Sequence, residues 1–468
     1  MTEPGTRIVR GPILNPEPSG SVAFWPDGAL LAGPDGRLRF VGEWKALEPS
    51  LGSSAIPVTW AAGIITPPFL DCHTHVPQFP IRGHFTDGLP DHLRQGRLLA
   101  GLERNVFPQE ARFADAEYAG AVIQAFAAHA LSQGVVGGAS YMTVHAQAAA
   151  LALRDLPAAW SVGLVLMDQN CPADLRTDEA SLERDVERLA ASYGRRLIVT
   201  DRFAVCVDTP LRRRGVALAA RLGLRMQTHL NEQRAEKALV ETILYPGYDG
   251  YTGVYLRDGL LDHDAILAHC LQMRPEEWDV VGDKGAAIAH CPTSNTLLGS
   301  GTMLLDEVRG RGLPYALCTD VGASPTTSLL AEMAQFLKVH AGRSDGATPS
   351  EALFRATLAP AQILGLDGDI GSFEPGKLLS CMEVEADIHG LDSKTADEVI
   401  RERLLRAPSA AGLEDALDRL ATQGLEHGDV LDRLADDVHA TAHRLEGRIL
   451  GVTVAGEAVW HRRVAACG

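Results

Sequence analysis

The sequence predicts an α/β protein: a (β/α)8 barrel of the TIM type carrying a small β-sandwich domain assembled from both chain ends. Three observations carry that expectation. Eight short apolar runs alternate with amphipathic helical stretches over about 300 residues, as repeated βα units require. Strand-like segments punctuated by Gly, Pro and Asp lie before and after that region, where a closed barrel has no use for them. At 468 residues the chain is long enough for one large barrel and a smaller unit beside it.

Residues 1–63 open the small domain. WPDGALLAGPDGRLRFVGEW reads as hairpins, with each PDG a turn between strands. The barrel is expected over 64–374. Its strands are IITPPFLD at 64–71, GVVGGAS at 134–140, WSVGLVLM at 160–167, LIVTDRF at 197–203, LRMQTHL at 224–230, AILAHC at 265–270, AAIAHC at 286–291 and PYALCTD at 314–320. SLLAEMAQFLKVHAGR and PSEALFRATLAPAQILGL then read as helices. Residues 375–468 return to the small domain through a strand in KLLSCMEVEA and a terminal hairpin in RILGVTVAGEAVWHRR. A charged helical insertion is expected at about 390–447.

Composition narrows the function classes. The chain is 46% hydrophobic and 22% charged, with a net charge of −17. That balance disfavours a nucleic-acid backbone or an anionic membrane as the main partner and leaves a small-molecule substrate open. Eight scattered cysteines without a CxxC pair read as reduced thiols. The N-terminus has no apolar signal region, and no uncharged run reaches the roughly 18–20 residues a bilayer needs. The expected location is the cytoplasm.

The polar residues fall where a barrel enzyme places its chemistry, at the C-terminal ends of the strands. Strand 1 ends in His73-Thr74-His75, and alternation puts both imidazoles on one side. Strand 5 supplies His229, strand 6 His269 and strand 8 Asp320. Four imidazoles and a carboxylate suit one Zn2+, with Fe2+ an alternative of similar ligand taste. Strand 4, LIVTDRF, has no lysine to bridge a second metal. Glu232, three residues after His229, stands where a carboxylate could move a proton between water and substrate. Glu236, one turn on, fits better as a carboxylate at a helix N-terminus, stabilised by the helix dipole. Glu232, Asp320 and His269 form the expected catalytic group, with His290 behind them steadying Asp320 or the water. The long stretch after strand 1, about residues 78–112, lies at the active-site end and is long enough to cover it.

PPFLDCHTHVPQ, THLNEQRAE, LAHC, HCPTSN and CTDVGAS resemble the amidohydrolase superfamily. FPQEARFADAEYA, LVLMDQN, RFAVC, HCPTSNTLLGSG and MAQFLKV are similar to its guanine deaminase branch in particular. The resemblance implies hydrolysis of guanine to xanthine and ammonia, with one zinc held by His73, His75, His229, His269 and Asp320. It implies that Gln78, Arg202 and Phe203 hold the purine, and, from the pairing of barrels common in the superfamily, a homodimer. Two departures bear on the site. Pro68 stands where the family has glycine, and Asp201 replaces a proline beside Arg202, where its carboxylate is expected to compete for the guanidinium. Rival readings are the same hydrolysis on 8-oxoguanine, a pterin or an s-triazine, and a non-catalytic metal-binding scaffold, which would have no need of Glu232.

Overall fold

A computed structural model describes residues 5–52, 56–90, 96–341, 346–407 and 437–462. Sixteen strands form two sheets among these residues. Five come first: β1 (Arg7–Pro16), β2 (Val22–Ala32), β3 (Leu38–Glu43), β4 (Val58–Trp60) and β5 (Ile64–Thr66). The barrel strands are β6 (Phe69–His75), β7 (Val135–Tyr141), β8 (Trp160–Leu166), β9 (Leu197–Asp201), β10 (Arg225–Leu230), β11 (Ile266–His269), β12 (Ala287–His290) and β13 (Tyr315–Leu317). Then β14 (Cys381–Val384), β15 (Ile449–Val454) and β16 (Glu457–His461) return to the first sheet.

β6 to β13 pair in sequence order, all parallel, with helices in the crossovers. Closure comes from the segment just past β13. The Asp320 amide donates to the His73 carbonyl (2.9 Å) and the His75 amide to the Val321 carbonyl (2.7 Å). Buried Asp71 adds a side-chain tie, accepting from the amide and hydroxyl of Thr319. The eighth strand therefore closes the ring with the same residues that deliver Asp320.

Local chemistry explains the crossover helices. Asp115 caps Ala116–Ser132 by accepting from the Glu117 and Tyr118 amides, and Asp208 caps Thr209–Leu222. In Leu182–Tyr193 the buried Leu182, Val186 and Leu189 recur at helical spacing and turn one face to the barrel. No described helix is long and apolar enough to cross a membrane.

The second sheet runs β16-β15-β14-β5-β1-β2-β3, with β4 on β1. Two expectations need correction here. The run 64–71 is two strands in different sheets: β5 pairs with β1 and β14, and only β6 enters the barrel. Pro67-Pro68 separates them, since neither residue has an amide hydrogen to continue a ladder. The first PDG is not a turn. The β1–β2 register steps from Gly11–Gly28 to Ile13–Trp25, so Pro26 and Asp27 bulge out within β2, and Asp27 pairs with Arg10 at 2.7 Å. The second PDG does turn the chain between β2 and β3. Of the segment expected to be helical at 390–447, Ala396–Val399, Ile400–Leu404 and residues 437–445 are helical, and residues 408–436 lie outside the described residues.

Candidate active site and metal centre

The barrel brings His73 and His75 from β6, His229 from β10 and Asp320 from beyond β13 to one point. Each offers a ligand atom within 4.8 Å of the others, and all four are buried. Asp320 Oδ1 lies 3.3 Å from His73 Nε2 and 3.2 Å from His75 Nε2. His229 Nε2 lies 3.3 Å from His75 Nε2. The His229 ring is set by its other nitrogen: Nδ1 donates to the Arg202 main-chain carbonyl at 2.7 Å, leaving Nε2 with the lone pair.

The electrostatics suit a cation. Burial pushes the His229 imidazole well below its ordinary range, and neighbouring imidazoles push the same way. Burial likewise lowers His75 to about 3, against the pull of Asp320. Neutral imidazole is the ligating form. Burial alone would raise the Asp320 carboxyl, but the His73 and His75 imidazoles beside it hold it well below the usual carboxylate range. The decisive observation is His73: it is fully buried, yet neither ring nitrogen has a hydrogen-bond partner. A buried polar atom without a partner is costly, and a cation between these groups would satisfy it. The donor set fits a metal ion.

His269 does not join the four. Its Nδ1 meets Asn295 Oδ1 at 2.9 Å, and its Nε2 faces Glu232 Oε2 at 3.5 Å. Asn295 holds the His269 ring by Nδ1, with Nε2 turned toward Glu232. The expected fifth ligand is therefore a neighbour of the expected proton carrier.

Glu232 is buried, accepts from Ser300 Oγ at 3.1 Å and is pushed up to about 8, by burial first and by Asp320 second. His269 Nδ1 donates to Asn295 Oδ1, which turns its Nε2 toward Glu232. Glu236 is the capping carboxylate: its Oε2 accepts from the Glu232 amide (3.0 Å) and the Gln233 amide (2.9 Å) at the start of helix Arg234–Leu239. It fixes the backbone on which Glu232 stands.

His290 is placed differently from expectation. Its Nε2 lies 3.2 Å from His340 Nε2, and its Nδ1 has no partner. Asp320 is steadied instead by Ser294, whose hydroxyl donates to Oδ2 at 2.5 Å. The Ser294 helix starts at Pro292, two residues past His290, and sets Ser294 against Asp320 while the His290 ring packs on Phe336 and His340. Asp201 also departs from expectation. It does not compete for Arg202 but pairs with buried Arg212 (2.7 Å), which also holds Asp258 (3.0 Å). Consecutive residues at a strand end point to opposite sides, so Asp201 and Arg202 diverge.

Arg202 points inward. Its Nη1 lies 3.0 Å from His75 Nδ1, and its Nη2 lies 3.2 Å from Glu110 Oε1. Gln78, Arg202 and Phe203 line the same cavity as His75, His229, Glu232, His269 and Asp320, so all three expected ring contacts converge. Its empty space is about 350 Å³ including the open mouth, and Phe85, Leu98 and Leu102 from the long excursion after β6 wall it in. Sequence reasoning missed Glu110, Ser294, Asn295 and Ser300. Ser294 and Asn295 lie in the quoted HCPTSN motif, but which atom each touches depends on long-range packing.

Residues 64–398 match the amidohydrolase family. The chain is 33% identical over 377 residues to a guanine deaminase of Escherichia coli (strain K12), covering 78% of this chain and 83% of that protein. It is 34% identical over 329 residues to a guanine deaminase of Homo sapiens, covering 66% and 70%. The solved structure of the E. coli guanine deaminase superposes with a TM-score of 0.77 at 26% identity, over 98% of this chain and 100% of that one.

Proposed function

We infer the function of this chain from one premise: it belongs to the amidohydrolase family, on the guanine deaminase branch. The reaction is hydrolytic deamination of guanine to xanthine and ammonia. One observation carries it above all: three members of the cation-ready group, His75, His229 and Asp320, line a single cavity with a buried acid, Glu232, and with Gln78, Arg202 and Phe203. The first two parts perform hydrolysis, and the last three present an amide, a guanidinium and an aromatic face to a flat heterocycle.

His73, His75, His229 and Asp320 would hold the metal, and borderline nitrogen donors with one carboxylate favour zinc, with ferrous iron second. When bound there, zinc would lower the pKa of a water molecule toward about 7 and would so supply a nucleophile at neutral pH. Beside a bound cation Glu232 would be ionised, and it would take the proton that the attacking water gives up as its oxygen bonds to the amino-bearing ring carbon. The same carboxyl returns the proton to the departing amine, the carbon–nitrogen bond breaks, and ammonia leaves. His269, held by Asn295, faces the Glu232 oxygen that exchanges the proton. Ser294 keeps Asp320 Oδ2 occupied, so that Oδ1 stays turned to the histidines.

The seven described cysteines are all free thiols, which agrees with a cytoplasmic enzyme. The test is ammonia release and xanthine formation from guanine by zinc-loaded protein, beside a chelated control. Chelator-sensitive conversion is the expected result. No conversion by protein holding one zinc per chain would refute guanine as the substrate.

A further inference from the structure

Glu110 lies on helix Phe107–Ala111, far in sequence from every strand that carries the metal group, and is 1% exposed. One oxygen of this buried carboxylate serves two cavity residues. Oε1 accepts from Gln78 Nε2 at 2.9 Å and lies 3.2 Å from Arg202 Nη2. The adjacent Gln109 donates to the Pro77 carbonyl at 2.9 Å, so the helix is fastened to the Gln78 turn at two successive residues. Beneath that turn Gly322 leaves no room for adjustment, since a Cβ there would come within 2.8 Å of Gln78 Cβ.

We propose that Glu110 is the positioning residue that sets the polarity of this cavity, turning the Gln78 oxygen and an Arg202 N–H toward the ligand and so selecting a ring edge with adjacent C=O and N–H groups. A carboxylate offers only acceptor oxygens, so the Gln78 amide must present its NH2 to Glu110 and keep Oε1 for the ligand. Arg202 has only donors, and Glu110 occupies one arm. The other arm now lies on His75 Nδ1. When His75 gives its Nε2 lone pair to a cation, its Nδ1 carries hydrogen and no longer accepts, which frees that arm for a ligand carbonyl. The cavity then offers one acceptor and one donor side by side, the complement of a lactam. An amidine edge, with NH2 beside a bare ring nitrogen, reverses both and meets donor with donor and acceptor with acceptor.

This inference rests on the reading that the cavity takes a purine-like ring, and it is tested without turnover. Binding of hypoxanthine (lactam edge) and adenine (amidine edge), neither bearing the 2-amino group, is measured by calorimetry on zinc-loaded protein. The wild type is expected to favour hypoxanthine by about tenfold or more, the scale of one mispaired buried polar group. In Glu110→Gln the new amide can donate as well as accept, Gln78 can flip, and the preference is expected to fall below about threefold. Zinc content and melting temperature serve as controls. Should Glu110→Gln not fold, Glu110→Asp decides: it remains acceptor-only, so overall affinity drops while the preference for hypoxanthine persists. A wild type without preference, a Glu110→Gln variant with the wild-type ratio, or an inverted ratio in Glu110→Asp would overturn the proposal. Guanine turnover, followed in parallel, is separable. If it is absent while the preference stands, the deaminase reading fails and the role of Glu110 survives.

Discussion

Glu232→Gln removes a proton carrier and leaves its shape. The side chain is fully enclosed, so an isosteric replacement creates no cavity. The Ser300 hydroxyl, 3.1 Å from Oε1, can donate to the glutamine oxygen as it does to the carboxylate. The amide then faces His269 Nε2 where the carboxyl stood, at 3.5 Å. Stability and zinc content should therefore stay at wild-type values. What disappears is the shuttle, because an amide neither accepts nor releases a proton at neutral pH. General acid–base catalysis contributes about 10²–10⁴ in rate, so kcat should fall by that factor, about 2.7–5.4 kcal/mol of barrier. KM should stay within about threefold, because Gln78, Arg202 and Phe203 are untouched and the loss lies in the transition state alone. The assay is steady-state ammonia release with metal analysis of the same samples. A kcat within tenfold of wild type would refute the shuttle, and loss of zinc in the variant would show Glu232 to be a ligand.

Three further outcomes follow from the buried charges. Burial first, and Glu232 second, push the Glu236 carboxyl up to about 7. A raised folded-state pKa gives stability that is complete below the unfolded value near 4.5 and is lost as pH rises through 7. Glu236→Gln should therefore gain stability relative to wild type between pH 5 and 8, by at most about 3 kcal/mol, as read from urea midpoints across pH; a difference that does not change with pH would exclude this. Arg212→Met leaves Asp201 buried with only the Thr228 hydroxyl at 3.3 Å. Removing one partner of such a pair costs about 3–5 kcal/mol, and a loss below about 1 kcal/mol in equilibrium unfolding would contradict the network. Zinc should raise the melting temperature in proportion to its affinity, by about 4 kcal/mol of stability at a thousandfold excess over Kd, whereas His73→Ala should show almost no such shift.

Much of this was legible in the sequence because chemistry and periodicity coincide at the strand ends. A strand places residues by alternation, so HTH announces two inward imidazoles, and barrel geometry puts the ends of β6 and β10 near each other whatever the loops do. The position of Glu232 in the same cavity was readable for the same reason, as was that of Glu236 in the first turn of the helix. The failures have one physical source: a side chain's direction beyond its strand depends on backbone turns that no pattern encodes. His269 ends its strand like the ligands do, but its ring is held by Asn295 and faces Glu232. His290 looks like a supporting residue, yet its contact is His340, and the support comes from Ser294 one turn later. Asp201 was assigned to its neighbour Arg202 by adjacency, whereas its partner is Arg212 on the following helix. Glu110 stands in the quoted FPQEARFADAEYA, but nothing there assigns it a role, because an acid on a short helix reads as a surface residue until the fold buries it. The division at Pro67-Pro68 could have been inferred, since two prolines in a row rule out a single continuous central strand.

That division bears on how the chain is made. Thr66 pairs with Met382, while seven residues later His73 belongs to the metal group. During synthesis β5 and β6 emerge early and together, but β14 and the closing segment at Asp320 come much later. Until then two adjacent strands, one in each sheet, wait with open edges, which are templates for pairing with a second nascent chain. Neither sheet can finish on its own schedule: the barrel waits for residue 320, and the other sheet for residues beyond 380. Long-range pairings of this kind fold slowly. The two prolines thus join not only two strands but two waiting times, and they make this short stretch the part of the newborn molecule most in need of protection.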